Sequence, residues 1–170
     1  MNTSIVTRLA IINDIEEIAK IAQSHEPLNK TNYIKVLMEQ IEENYKENSL
    51  QKIFVALIND KVVGHAKLLF FDPERMEVEF SSPLGWYFNG VIVNEKFRKI
   101  GVATKLSECR INYIKENSNN ERVFSIVSSR NKASILYHKS INFKELKKAS
   151  GFLNIKVTKG VGILFSKEIN

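Results

Sequence analysis

The sequence predicts an α/β fold with a mixed, mostly antiparallel central sheet, on two observations. In the first half, two β-branched and aromatic runs, residues 53–58 and 62–71, flank the polar turn Asn59-Asp60-Lys61, which indicates a hairpin. In the second half, strand and helix patterns alternate, which is typical of crossovers between parallel strands. We therefore expect helices to flank a sheet that contains one parallel pair.

The chain begins with a short strand and two helices. A weak alternation over residues 5–9 predicts the strand, and Asn13 with Glu16 resembles a capping box before apolar residues at helical spacing. A loop with His25, Pro27 and Asn29 follows. The next helix carries an apolar stripe that faces the core, formed by Ile34, Leu37, Met38, Ile41 and Tyr45.

Polar residues 72–83 predict a loop, and the elements after it alternate. They are a strand at residues 84–93, a helix at 102–116, a strand at 122–128, a helix at 131–140, and short strands at 143–146 and 161–167. The helical crossover should make the strands at 84–93 and 122–128 parallel neighbours. Residues 93–103 and 128–131 would then lie at the sheet edge where ligands bind in such folds.

Length and composition indicate one globular domain over residues 1–170. Hydrophobic residues make up 44% of the chain and charged residues 26%, which suits a soluble protein with its own core. No apolar run approaches the length of a membrane span, and the amino terminus has no signal-peptide pattern. Cys109 is the one cysteine of the sequence, so an internal disulfide is excluded and a cytoplasmic location is expected.

The charge balance favours a small anionic ligand. The net charge is +6, from 25 Lys and Arg residues against 19 Asp and Glu residues. Because the basic residues are scattered rather than gathered in one run, the sequence does not indicate nucleic-acid binding.

The segment after the strand at residues 84–93 has the features of a phosphate-binding loop. It reads Arg98-Lys99-Ile100-Gly101-Val102-Ala103 and opens a helix. N–H groups at a helix amino terminus lack intrahelical acceptors and carry partial positive charge, so they bind phosphate groups well. Gly101 permits close approach of the backbone, although a plain turn glycine is the alternative. We predict that a pyrophosphate binds the side chain of Arg98 and the amides of Lys99, Ile100, Gly101, Val102, Ala103 and Thr104.

Two motifs together resemble one known family. The first is Arg98-x-x-Gly101-x-Ala103, and the second, about thirty residues later, is Asn131-x-x-Ser134-x-x-x-His138-x-x-x-Asn142-Phe143. They resemble the acyl-CoA loop Gln/Arg-x-x-Gly-x-Gly/Ala and the last-helix element Asn-x-x-Ala/Ser-x-x-Leu-Tyr/His-x-x-x-Gly-Phe of the GNAT family of N-acetyltransferases. The resemblance covers the whole chain in element order and is specific from Gly85 to Phe143.

This resemblance implies a GNAT fold and an acetyl-CoA-dependent N-acetyltransferase that transfers the acetyl group directly to a primary amine. It implies no metal. Strand backbone at Val91, Ile92 and Val93 would flank the pantetheine arm, although these side chains also suit ordinary sheet core. The implied cofactor-binding set is completed by the loop from Arg98 to Thr104 and by Asn131, Ser134 and His138.

The resemblance leaves the proton donor open. The family often places a tyrosine on the last helix to protonate the departing CoA thiolate, and that position here is His138. The subgroup of phosphinothricin-type acetyltransferases shares a histidine there. His138 could equally pack beside the cofactor, and Tyr137 is the other candidate. Asn142 replaces the family's glycine, and asparagine also tolerates a left-handed turn.

The sequence does not identify the general base either, because residues 84–93 contain no Asp or Glu. Asn89 and Tyr87 are expected to share a face with Val91 and Val93 and to position a water or the substrate. Glu77, Glu79 and His65 are weaker candidates, more typical of solvated loop charges and of a structural histidine.

The acceptor is predicted to be a small-molecule amine, such as an amino-acid-like compound, a polyamine or an antibiotic. The alternatives are a protein N-terminus or lysine, and a non-catalytic acyl-CoA-binding module. Acceptor specificity would lie in residues 25–48, 72–87 and 149–160, and a homodimer is left open.

Overall fold

The structure is a computed structural model that describes residues 4–25 and 30–169. The loop predicted at Pro27 and Asn29 lies outside the described residues. The chain forms two compact units. The first consists of the described residues up to Leu68 together with Gly90–Tyr113. The second consists of Leu69–Asn89 together with the described residues from Ile114 onward. A single domain over residues 1–170 stays a prediction.

The described helices and strands follow the predicted order closely. They are β1 (Val6–Leu9), α1 (Ile15–His25), α2 (Lys30–Glu43), β2 (Gln51–Ile58), β3 (Lys61–Phe71), β4 (Gly85–Val93), α3 (Val102–Asn117), β5 (Arg122–Ser128), α4 (Lys132–Ser140), β6 (Lys144–Ala149), β7 (Gly151–Phe152), β8 (Ile155–Lys156) and β9 (Gly162–Glu168). Short 3₁₀ turns at Ile12–Asp14 and Glu95–Phe97 precede α1 and α3.

The central sheet has seven strands in the order β1-β2-β3-β4-β5-β9-β6, and β7 pairs with β8 in a separate hairpin. β4 and β5 are parallel, with Trp86 opposite Val123 and Phe88 opposite Ser125. The pairs β1–β2, β5–β9 and β6–β9 are antiparallel. The mixed, mostly antiparallel α/β sheet with one parallel pair is therefore confirmed.

The hairpin between β2 and β3 forms as its turn residues predict. Asn59 and Asp60 have φ values of 49° and 60°. A two-residue loop with two positive φ angles matches the right-handed twist of the flanking strands, and Asn and Asp are the non-glycine residues that tolerate it best.

The core of the first unit is formed by α1, α2 and the strands that they cover. Leu37 and Ile41 of the predicted stripe are fully buried, but Met38 is 42% exposed and Tyr45 is 62% exposed. The stripe was predicted too long because α2 ends at Glu43. Beyond the helix, the Tyr45 hydroxyl instead donates a hydrogen bond of 3.1 Å to the Ala10 carbonyl.

The start of α1 also differs from the predicted capping box. Asn13 lies within the 3₁₀ turn, and the carboxylate of Asp14 accepts a hydrogen bond of 2.8 Å from the Ile11 N–H. The same carboxylate forms an ion pair of 2.6 Å with Arg8 on β1. Asp14 therefore joins the first strand to the first helix.

The core of the second unit is mainly aromatic. Its buried cluster consists of Phe71, Tyr87, Phe124, Phe152, Leu153 and Leu164. The last helix and the strands β5, β6 and β9 belong to this unit, so the Asn131–Phe143 motif is built on its core.

Candidate functional site

The predicted phosphate loop leads from β4 into α3 with two left-handed residues. Lys99 has φ +63° and Gly101 has φ +94°. The Gly101 carbonyl accepts a hydrogen bond of 3.0 Å from the Lys105 N–H, so Gly101 caps a helix that begins at Val102. The N–H groups of Val102 and Thr104 therefore belong to the first turn, which has no intrahelical acceptors for them.

Space beside the loop is open. Arg98, Lys99, Ile100 and Gly101 are exposed, and a Cβ added at Gly101 would meet no atom within 4 Å. Glycine is thus required there for its φ angle and not for a close protein contact. An anion can approach this backbone, so the loop residues fit a pyrophosphate group.

The start of α3 is positioned by a close approach that the sequence analysis missed. A Cβ at Gly64 would lie 3.0 Å from the Ile92 carbonyl oxygen and 3.1 Å from a Val102 methyl carbon. Since real Cβ atoms rarely come so near, glycine lets β3 pack closely against the end of β4 and the first residue of α3. An isolated glycine inside a β-branched strand was the available signal.

Arg98 forms contacts with neighbouring residues that the motif alone did not predict. Its Nε donates a hydrogen bond of 3.2 Å to the Val93 carbonyl, and its Nη1 lies 3.3 Å from a Glu95 carboxylate oxygen. The guanidinium therefore ties the loop to the end of β4. Its exposed charge is partly offset by Glu95.

A buried arginine holds the middle of β4. Gly90 has φ +78°, and its carbonyl accepts a hydrogen bond of 3.3 Å from Arg110 of α3. Arg110 is 1% exposed and also donates to the Lys67 carbonyl at 3.0 Å. Together these bonds fix the strand just before the half-buried residues Val91, Ile92 and Val93. The sequence analysis missed this role of Arg110, although a charged residue among the apolar positions of α3 could have indicated it.

The second motif forms a capped helix. The Asn131 side-chain oxygen accepts a hydrogen bond of 3.0 Å from the Ser134 N–H, so Asn131 caps α4 and the helix begins one residue later than predicted. At the other end Asn142 has φ +66°, and the Phe143 N–H donates to the His138 carbonyl at 2.9 Å. This is a Schellman ending, and the predicted left-handed turn at Asn142 is confirmed.

His138 is a packed residue. It is 6% exposed, its ring stacks on Phe165 and it meets Phe143 edge to face. Its Nδ1 lies 2.7 Å from the Ser134 carbonyl oxygen. Because a carbonyl only accepts, Nδ1 carries a hydrogen and donates it to Ser134. The preceding Tyr137 is half-buried.

Comparisons with known proteins agree on the family. Residues 14–143 match the model of the acetyltransferase (GNAT) family. An N-alpha-acetyltransferase of Sulfolobus acidocaldarius is 32% identical over 147 residues, 82% of this chain and 80% of that protein. The chain belongs to the GNAT family.

Two further comparisons give a related sequence and a similar fold. An N-alpha-acetyltransferase of Saccharolobus solfataricus is 29% identical over 152 residues, which is 85% of this chain and 83% of that protein. The structure of yncA from Salmonella typhimurium, solved with acetyl-CoA, has a TM-score of 0.68 at 16% identity and covers 98% of this chain and 94% of its own. The match to the acetyltransferase (GNAT) family model assigns this chain as an N-acetyltransferase that uses acetyl-CoA.

Tyr87 and Asn89, which were predicted to position a water or the acceptor, have different surroundings. Tyr87 is 2% exposed and its hydroxyl donates a hydrogen bond of 2.7 Å to the Pro83 carbonyl, whereas Asn89 is exposed. Burial raises the pKa of Tyr87. The positive φ of Gly90 interrupts the strand alternation on which the shared face with Val91 and Val93 was based. Tyr87 is thus part of the core and not a water-positioning residue.

The weaker base candidates have structural surroundings. Glu77 and Glu79 are exposed, and their backbone groups bond to Asn154 next to β7. His65 is 3% exposed, and burial lowers its pKa to about 4, so its ring is neutral at physiological pH.

Two segments predicted to carry acceptor specificity do meet within the second unit. Phe80 forms a β-bridge with Leu153, and the Ser82 hydroxyl accepts a hydrogen bond of 2.7 Å from the Leu153 N–H. Residues 72–87 and 149–160 therefore act as one structural element.

The described residues show neither a membrane-spanning helix nor a metal-binding cluster. Among residues 4–25 and 30–169, the structure has no helix of the length and apolarity needed to cross a membrane. Over the same residues, no group of three His, Cys, Asp or Glu side chains is arranged to hold a metal ion.

Proposed function

We propose that this N-acetyltransferase acts on the α-amino group at the amino terminus of a protein or peptide. The observation that carries the proposal is that both relatives that match more than four-fifths of the chain are named N-alpha-acetyltransferase. This acceptor replaces the small-molecule amine as the leading prediction.

The loop after β4 is proposed to hold the cofactor's pyrophosphate. The open space at Gly101 and the exposed residues Arg98 to Gly101 before α3 support this role for residues Arg98 to Thr104. The backbone of Val91, Ile92 and Val93 is proposed to pair with the pantetheine arm as an added strand does. Acetyl-CoA supplies the activated acetyl thioester. In the second unit, Asn131, Ser134 and His138 stay proposed cofactor contacts by resemblance.

Tyr137 is the proposed proton donor to the departing thiolate. A half-buried phenol can give up its hydrogen to a group that approaches the helix. His138 already donates its Nδ1 hydrogen to the Ser134 carbonyl. Asn89 is exposed and is proposed to position the acceptor amine or a water that receives its proton.

A small-molecule amine is the second candidate acceptor. The sequence Ser134-x-x-Tyr137-His138 supports it, because this element is similar to that of the phosphinothricin-type subgroup. A cytoplasmic location and a homodimer accompany either acceptor as predictions, and sedimentation of the purified chain tests the latter.

The release of CoA thiol from acetyl-CoA tests the acceptor class. Three groups of acceptors are compared: peptides with a free α-amine, the same peptides with that amine blocked and an internal lysine, and a panel of amino acids and polyamines. The proposal predicts turnover with the free α-amine peptides and little with the other two groups. Turnover confined to small amines would return the assignment to the second candidate.

A further inference from the structure

Lys67 on β3 is a half-buried cation with a neutral environment. Its Nζ donates a hydrogen bond of 2.8 Å to the side-chain oxygen of Gln40 and lies 6.0 Å from the ring centroid of Tyr33. Both partners belong to α2. Within the described part of the chain, no carboxylate forms an ion pair with Lys67. A positive charge is thus held against one amide oxygen and one aromatic face.

This arrangement leaves the charge of Lys67 uncompensated. Burial lowers the pKa of Lys67, and no acidic group opposes that effect. An ammonium group has three N–H donors, of which one serves Gln40. A partly buried cation without a carboxylate is costly for the folded state, and an anionic ligand that accepts the remaining donors would offset the cost.

His65 supplies a second, independent sign of a missing ligand. It lies two residues before Lys67 on the same strand and is 3% exposed. Neither ring nitrogen has a hydrogen-bond partner among the described residues. A neutral imidazole has one donor and one acceptor, and a buried donor without a partner destabilises the fold. Burial lowers the pKa of His65, and the nearby charge of Lys67 lowers it further.

We propose that Lys67, with Gln40, Tyr33 and His65, binds a carboxylate of the acceptor peptide. The carboxylate belongs to an acidic side chain close to the amino terminus that is acetylated. The reacting α-amine would be repelled by the ammonium, so the site recognises a neighbouring group and sets specificity rather than chemistry. This inference rests on the proposed function.

The test compares matched peptides. Each begins with serine, has an amidated carboxyl terminus, and carries either Glu or Gln at position two or three. We expect kcat/KM to be about tenfold higher for the Glu peptide at the recognised position, chiefly through KM, because a charge-assisted hydrogen bond is lost with Gln. Lys67→Met should reduce this preference to less than about twofold, and Lys67→Arg should retain it. Lys61→Met, the same charge change at the exposed start of β3, should keep the preference.

A binding measurement separates this site from the proposed function. The chain has three histidines, so His65 can be followed by NMR during titration with N-acetylated Glu and Gln peptides, which need no turnover. Binding of the Glu peptide should raise the pKa of His65, because a carboxylate favours the charged ring. Equal acetylation of Glu and Gln peptides, with no shift of His65, would refute the site and leave the function standing. No acetylation of any peptide, with a shift of His65, would refute the function and leave the carboxylate site standing.

Discussion

The Nδ1 atom of His138 lies 2.7 Å from the carbonyl oxygen of Ser134, one turn earlier in α4. This bond places a hydrogen on Nδ1 and fixes the orientation of the ring. The stacking on Phe165 then holds the ring in the core of the second unit. His138 is therefore packed in the core, and the half-buried Tyr137 beside it is the proposed proton donor.

Two aromatic replacements separate packing from proton transfer. Tyr137→Phe should lower kcat by about one hundredfold, since positioned acids contribute on that order. His138→Phe retains a ring against Phe143 and Phe165 and should change kcat by less than about threefold. Tyr137→Phe should bind CoA as the wild type does, whereas a weaker CoA affinity of His138→Phe would reflect its proposed cofactor contact. The opposite pattern in steady-state kinetics would return the donor role to His138.

Substitutions in the loop test the pyrophosphate assignment. Gly101→Val places a branched side chain at φ +94° and fills the open space beside the amides, and Arg98→Ala removes the loop's guanidinium. We expect the double variant to lose CoA binding in calorimetric titration. Its melting temperature should fall by only a few degrees, because a left-handed non-glycine residue costs about 1 to 2 kcal/mol. Lys96→Ala, an exposed neighbour, is the control. Unchanged CoA affinity in the double variant would rule out this loop.

The buried His65 makes stability depend on pH in a defined window. Its pKa is about 4 in the folded chain and near 6.5 when unfolded, so below pH 6.5 the unfolded state binds a proton that the folded state does not. Stability should therefore fall by about 2 kcal/mol from pH 7 to pH 5 through this group and level off below its folded pKa. Urea unfolding of wild type and His65→Leu at both pH values measures the difference. An equal loss in both proteins would contradict the assignment.

Arg110 should matter for stability more than an exposed arginine does. Arg110→Met keeps an unbranched apolar stem but leaves the Lys67 and Gly90 carbonyls without their guanidinium donor. We expect a loss of about 2 to 4 kcal/mol in the free energy of unfolding, since buried acceptors lose charged hydrogen bonds. Chemical denaturation tests this, with Arg122→Met on exposed surface as the matched control. A loss similar to that of the control would show that the kink at Gly90 holds without Arg110.

Features set by neighbouring residues could be predicted from the sequence. The turn at Asn59 and Asp60, the left-handed Asn142 and the cap at Asn131 each depend on a few adjacent residues. The parallel pairing of β4 with β5 follows from the length of the connection between them. These features supported the correct fold and the correct family.

Features set by distant contacts could not be predicted. Arg110 donates a hydrogen bond to the Lys67 carbonyl, 43 positions away in the sequence, and no local sequence pattern predicts that bond. The burial of Tyr87 depends on its packing among Phe71, Phe124 and the other members of the aromatic cluster, which lie far from it in sequence. The expectation that Tyr87 positions a water did not account for this burial, because strand alternation alone does not show which side chains are covered.

The position of the transferred acetyl group tests the central claim most directly. A peptide with a free α-amine and an internal lysine is incubated with acetyl-CoA and the wild-type chain, and fragmentation mass spectrometry locates the acetyl group. The proposed function predicts acetyl on the α-amine, with the lysine unmodified. Acetyl on the lysine alone, or transfer only to a free amino acid or polyamine added in the same mixture, would contradict it.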